Sequence, residues 1–309
     1  MSWIIALIVA VVSDALRIFI DNFVSDVYFK EKGAVSQKIV AGIITPLLGL
    51  IILAITGLNP FEAPPLTVAL LIASGVLSSL AGIPYYRALE IDDSTNIGIF
   101  FQFSPILYII IGWVIGSESF SIIQLVSCFI ILAAPLLIIF SAAKRSRKVR
   151  LHAAILAFVS IIFYVASGET FILGSSPELN IFGEIGLVLI AKGISDLIII
   201  GGRRKYRRRL AKIIKSSRRK VLLPIFISLA LRVTQEYSYR IGLILAPTIA
   251  IASAASDAVE PIVIFFMGLV LTLIWPKFGR EKLAKKVVLV HLIATILVAI
   301  GIMLMQVQL

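Results

Sequence analysis

"YYRALEIDDSTNIGIFFQFSP", Tyr85 to Pro105, has a counterpart late in the chain: "YSYRIGLILAPTIAIASAASDAVEP", Tyr237 to Pro261. Each stretch holds a Tyr-Arg pair (Tyr86-Arg87, Tyr239-Arg240), runs through apolar residues dotted with small and polar ones, and closes on a proline. Seven residues past each proline stands a glycine, Gly112 and Gly268. The two stretches read as copies of one unit, and the apolar runs around them decide the fold.

The chain has 309 residues, 60% of them hydrophobic and only 15% charged. Its mean hydropathy is +1.05, whereas soluble domains are nearer half apolar. Apolar runs of about 20 residues, each enough to cross a bilayer, recur along almost all of the sequence. The reading is an all-α polytopic membrane protein with ten spans: 3–29, 39–58, 66–89, 96–116, 120–141, 151–174, 182–202, 221–245, 248–275 and 286–306. The junction between the eighth and ninth, "LILAPTIAI", rests on Pro247 as a turn former. The first run, "MSWIIALIVAVV", has no basic n-region and no small-residue cleavage site, so it is expected to stay as a helix.

Enzyme chemistry has little to stand on. His152 and His291 are isolated, no HExxH or P-loop occurs, and serines and threonines are scattered, so no metal, cofactor or catalytic residue is expected. Cys128 is the sole cysteine and lies in an apolar run, where it reads as a small packed hydrophobe.

Positive charge orients the chain. All Lys and Arg residues except Arg17, Arg87, Lys192, Arg232 and Arg240 fall in the connections after odd-numbered spans. Connections after spans two, four and six hold none. Basic residues resist translocation, so the odd connections are expected in the cytoplasm and both termini outside. The longest basic connection is "GGRRKYRRRLAKIIKSSRRK", Gly201 to Lys220, with Arg203, Arg204, Arg207, Arg208, Lys212, Arg218 and Arg219. Tyr206, Leu210, Ile213 and Ile214 would share one helical face there. A basic amphipathic helix of this kind lies on anionic lipid, each cation adding about 1 kcal/mol. Nucleic-acid binding is the rival reading of such a run, and topology with lipid contact accounts for it better in this setting.

The two quoted stretches occupy spans three to four and eight to nine, so each half holds five spans. Five is odd, and the second copy must therefore enter the membrane from the opposite side. Such inverted repeats belong to alternating-access transporters. The halves are expected at 1–143 and 151–309, joined by a basic connection at 144–150. "IDNF" (Ile20 to Phe23) in span one answers "GETF" (Gly168 to Phe171) in span six.

The stretch from Tyr85 to Ile139 resembles the core of the EamA-like transporters of the drug/metabolite transporter superfamily. The resemblance is carried by Ala88-Leu89, Ser94, Pro105, Ser117-Glu118 with Gly116 before them, and Gln124. The second half follows loosely, with Ile241-Gly242 for the "AL" pair and "WPKFGRE" for the "GE" position. The resemblance implies ten helices in two inverted repeats around a central cavity that exchanges small metabolites. It also implies cytoplasmic termini, which the charge distribution contradicts; the charge distribution is followed here.

Ionisable residues inside spans cost about 2.5–3.5 kcal/mol each on insertion scales, so each is a functional candidate. Asp14, Arg17 and Asp21 lie on one face of span one, with Asn22 beside them. Their alternative role is a self-neutralising packing cluster. Arg232, Glu236 and Arg240 follow at steps of four in span eight, as do Lys192 and Asp196 in span seven; both sets read equally as pairs within one helix. Arg232 lies too deep to reach the interface, whereas Arg87 and Arg240, near helix ends, read as snorkelling anchors. Glu169, Asp257 and Glu260 have no cation in their own helices and are candidates for proton or cation coupling, with salt bridges to neighbouring helices as the bland alternative.

Pro105 and Pro261 are expected to interrupt or kink spans four and nine and free carbonyls toward the cavity. Small residues at Ser74, Gly75, Ser78, Ser79 and Gly82, and from Ala250 to Ala258, read as close helix contacts.

The expected function is secondary transport of small polar or zwitterionic metabolites, driven by a gradient, by a monomer or homodimer in the cell membrane. Seven of these groups, Arg17, Asp21, Glu169, Arg232, Glu236, Asp257 and Glu260, are expected to share one polar cavity. A lipid or lipid-linked sugar flippase, or a membrane assembly or sensor protein, are the alternatives.

Overall fold

The computed structural model describes residues 2–24, 33–57, 63–91, 100–101, 103–115, 121–143, 151–176, 180–202, 204, 208, 219–274 and 285–306. Among these residues the chain is helical, with no strand. The helices that carry the fold are α1 (Ser2–Val24), α2 (Gly33–Thr56), α3 (Pro65–Ile91), α4 (Ser104–Ile115) and α5 (Ile122–Ala143). They are followed by α6 (Leu151–Gly174), α7 (Ile181–Gly202), α8 (Arg219–Leu245), α9 (Ile249–Ile274) and α10 (Lys285–Gln306).

Local chemistry sets several of these ends. Ser121 and Gln124 cap α5 reciprocally: the Ser121 hydroxyl accepts the Gln124 N–H at 3.2 Å, and Gln124 Oε1 accepts the Ser121 N–H at 2.9 Å. Asn180 Oδ1 accepts the Phe182 N–H at 2.9 Å, and Thr248 Oγ1 accepts the Ile251 N–H at 3.2 Å, so α7 and α9 start on side-chain caps. Gly57, at φ 65°, ends α2 in the left-handed region that a side chain disfavours. Ala246 and Pro247 form the bend between α8 and α9 that the proline predicts.

Among the described residues, four helices hold segments long and apolar enough to cross a membrane: Trp3–Ile20, Pro65–Ala88, Leu151–Gly174 and Ile249–Val270. Their surroundings agree with a membrane protein. Ile55, Trp113, Val114, Ile122, Leu151 and Leu223 are large apolar side chains turned outward, spread over five helices. Water would penalise that surface, and hydrocarbon does not.

The interior is built from small residues. Ala250, Ala252, Ser253, Ala254 and Ala258 of α9 are fully buried, and α9 packs on α1, α4, α5 and α10. The most extensive contacts are α3 with α6, α1 with α8, α2 with α7, and α5 with α10. At the α2–α7 crossing, a Cβ on Gly49 would stand 2.7 Å from the Gly186 carbonyl oxygen. At α3–α7, a Cβ on Gly75 would stand 2.5 Å from the Val188 oxygen and 2.7 Å from the Ala191 Cβ. Only hydrogen fits at either position. Between α3 and α6, the Ser74 hydroxyl donates to the Ser167 carbonyl at 2.8 Å and the Ser167 hydroxyl donates back to the Ser74 carbonyl at 2.8 Å. Ser160 adds a third link, to the Ala81 carbonyl at 2.7 Å. Cys128 is buried in the main core, as a small hydrophobe would be.

Candidate functional site

Three polar groups meet where α1, α3, α7, α8 and α9 approach one another. On α1, the Arg17 guanidinium holds Asp14 Oδ1 at 2.7–2.8 Å, one helical turn away. Glu260 of α9 faces this pair, interacting with Asp14 and Arg17 and with Asp257 on its own helix.

The second group joins α7 and α8. Glu236 accepts Lys192 Nζ at 2.8 Å on Oε2 and Arg240 at 3.0 Å on Oε1. Arg240 also donates to Ser74 Oγ at 3.3 Å, and its guanidinium carbon lies 4.4 Å from the centre of the Phe171 ring. Arg232 stands within electrostatic reach of Glu236, Asp196, Arg17 and Tyr86, and so links the second group to the first.

Asp257 centres the third group. It accepts the Ser104 hydroxyl from the first turn of α4 and the Ser253 hydroxyl of its own helix at 3.3 Å. Ser104 and Ser253 lie 3.2 Å apart. Buried Tyr108 and Tyr239 and half-buried Tyr164 stand beside it, the rings of Tyr164 and Tyr239 6.2 Å apart. The Tyr108 hydroxyl rests against Gly168, with Glu169 next to it in sequence and within electrostatic reach. Glu169 is only 3% exposed.

Arg17, Glu169, Arg232, Glu236, Asp257 and Glu260 are thus joined through a continuous set of electrostatic neighbours. Asp21 and Asn22 lie in α1, but their side chains fall outside the described residues. Pro105 stands in the first turn of α4, after a turn at Phe103, so the helix starts there. A proline in that position loses no helical hydrogen bond. Helix α9 runs on through position 261, and the Pro261 side chain is outside the description. Arg204 and Arg208 are helical and exposed, and Arg219 lies in the first turn of α8. Arg203, Arg207, Lys212 and Arg218, and the side chain of Arg219, fall outside the described residues.

Two readings from helical spacing are corrected. Lys192 does not pair with Asp196 within α7: it reaches across to Glu236, while Asp196 accepts the Ser79 hydroxyl of α3 at 2.5 Å. Arg240 is no snorkelling anchor, being 4% exposed and turned inward, whereas Arg87 is exposed as expected. Glu236 forms its ion pairs with Arg240 and Lys192, and Arg232 remains an electrostatic neighbour. The spacing admitted Lys192–Asp196, Arg232–Glu236 and Glu236–Arg240; the approach of α7 to α8 and α3 keeps the last and adds Lys192–Glu236.

Spacing alone missed Ser104, Ser253 and the three tyrosines, because hydroxyl-bearing residues in apolar runs read as packing. The signal available for Ser104 was its place immediately before Pro105, at a helix start.

No family model matches the sequence, and no curated protein is similar to it. The chain does superpose on a solved crystal structure described only as that of a protein, with a TM-score of 0.66 and 13% identity. The match covers 98% of this chain and 96% of that one, so the fold is one already seen in a crystal.

Proposed function

We propose that this chain is a secondary transporter of small polar or zwitterionic metabolites. In this reading all ten helices span the membrane as two inverted repeats, 1–143 and 151–309, linked by 144–150, as in EamA-like transporters. The observation that carries the reading is the pairing of the helices. Exchanging the two halves sends α1 to α6, α2 to α7, α3 to α8, α4 to α9 and α5 to α10. Under that exchange the extensive α3–α6 contact becomes α8–α1, which is equally extensive, while α2–α7, α4–α9 and α5–α10 map onto themselves. A two-fold relation between halves has this consequence, and an odd number of spans per half makes it an inversion.

The polar groups supply the second support. Ionisable residues at this depth are expensive unless paired or solvated, and those of the site come from both halves. Arg17 belongs to the first half; Glu169, Arg232, Glu236, Asp257 and Glu260 belong to the second. Cargo held among them would touch both halves, which is what rocking one against the other requires. Half-buried carboxylates such as Asp257 and Glu260 suit coupling to a proton or another cation. The exposed Arg204 and Arg208 fit a basic segment, 203–220, seated on anionic lipid at the cytoplasmic face of the cell membrane.

Proteoliposomes test the reading. Purified protein should accumulate a radiolabelled amino acid from a mixed pool when a proton gradient is imposed, beyond protein-free vesicles. Scrambling of headgroup-labelled lipid without solute uptake would favour the flippase instead, and neither activity would leave an assembly or sensor protein.

A further inference from the structure

We propose that Lys192 and Arg240 form the docking site for a cargo carboxylate, and that Glu236 is the internal anion occupying it when cargo is absent. The inference deepens the transporter reading and rests on it. Lys192 on α7 and Arg240 on α8 each take one oxygen of Glu236, at 2.8 and 3.0 Å, and all three side chains are largely buried. The group carries one net positive charge. Lys192 lies within electrostatic reach of Glu236, Arg232 and Arg240: one anion against two further cations. Asp196, which accepts the Ser79 hydroxyl at 2.5 Å, stands near Arg232, and counting both of these charges leaves the net at one positive. Uncompensated charge in a poorly solvated interior costs several kcal/mol per ion, and a monoanion removes that cost.

Donors also remain unspent. Among the described residues Lys192 uses one of its three N–H groups, and the buried Arg240 Nε has no hydrogen-bond partner. Ser74 and the Phe171 ring hold the guanidinium in place without occupying Nε. A guanidinium edge with a free Nε accepts a carboxylate through parallel hydrogen bonds, and an ammonium beside it completes the clamp. One net positive charge matches a monocarboxylate better than a dianionic phosphate. Glu236 then acts as a stand-in: it keeps two buried cations neutralised between turnovers and shares them with the incoming carboxylate.

Three compounds matched in carbon skeleton test this on the purified full chain: L-leucine, isocaproate and L-leucinamide, read by the thermal unfolding midpoint. L-Leucine and isocaproate should raise the midpoint with concentration, and L-leucinamide should not. Glu236→Gln should tighten isocaproate binding about tenfold, the scale of one charge-assisted hydrogen bond. Arg240→Gln should abolish the shift. If Glu236→Gln does not fold, the double variant Lys192→Met with Glu236→Gln keeps the wild-type net charge and should still respond. Equal stabilisation by the amide overturns the proposal, as does the lack of any response in both the wild type and the double variant. Proteoliposome uptake separates the two levels. Carboxylate binding without uptake keeps the site and sinks the transporter, whereas L-leucinamide uptake unaffected by Arg240→Gln does the reverse.

Discussion

Arg87 and Arg240 occupy the same place in the two copies of the Tyr-Arg pair, yet one faces outward and the other is sealed inside. Arg240 ends up inward because Glu236, one turn earlier, and Ser74 of α3 offer it partners at 3.0 and 3.3 Å. Arg240→Gln leaves Glu236 paired with Lys192 at 2.8 Å but removes two hydrogen bonds from a charged donor, each contributing about 1.5–3 kcal/mol. Arg240→Gln is therefore expected to lower stability by that order in denaturant titrations, and Arg87→Gln by a small fraction of it. Equal losses would contradict the placement of Arg240. Asp257 makes a functional counterpart. Its two serine donors can equally serve an amide, so Asp257→Asn should leave the protein folded while flattening the pH dependence of uptake. Retention of the wild-type pH profile would remove Asp257 from coupling. Which residues were charged and deep was legible in the sequence; which charge meets which was not. Steps of four within a helix permit Lys192–Asp196 and Arg232–Glu236, and only the lateral approach of α7, α8 and α3 decides otherwise.

Elements were more legible than contacts. Apolar run length and the Pro247 bend locate the helices well, since each run must match a bilayer and each break needs a turn residue. The fourth span, expected from residue 96, is interrupted ahead of Pro105: residues 100 and 101 are helical, Phe103 is a turn, and α4 starts at Ser104 with the proline in its first turn. Residues 96–99 lie outside the described residues. The small residues of α3 do what their spacing implies, and one of them sets the closest approach. Gly75→Val would drive its branched side chain into the Val188 carbonyl and the Ala191 methyl of α7. Overpacking of that kind costs about 1–3 kcal/mol, so the variant should unfold at a lower temperature, with Val76→Ala at the adjacent position as the milder comparison. A change at Gly75 no larger than at Val76 would show that α3 and α7 do not pack this closely. The basic connection after α7 carries a topological prediction: a reporter fused after Leu309 should be active only outside the cytoplasm, and one inserted within 203–220 only inside. The reverse pattern would restore the cytoplasmic termini that the EamA resemblance implies.

At the scale of the molecule, the proposed exchange of halves relates the helices but not all of their contacts. Helix α3 packs extensively on α7, whereas the equivalent pair, α8 and α2, barely touches. In an inverted-repeat transporter that inequality is itself the conformational state: one side of the site is closed by α3–α7, and the other is parted at α2–α8. Exchanging the conformations of the two halves produces the opposite state, with α2–α8 closed and α3–α7 parted. Sequence pattern suggested the duplication through Pro105 and Pro261, but no residue spacing encodes which pair is closed. Pulsed electron-spin distances test this most directly, in lipid and with Cys128→Ser to remove the native thiol. Labels at Ile72 and Ile194 would report α3–α7, and labels at Leu50 and Phe226 would report α2–α8; all four side chains are exposed. The account predicts two distances for each pair, with one pair lengthening as the other shortens when pH or cargo is changed. Single, invariant distances for both pairs would contradict alternating access.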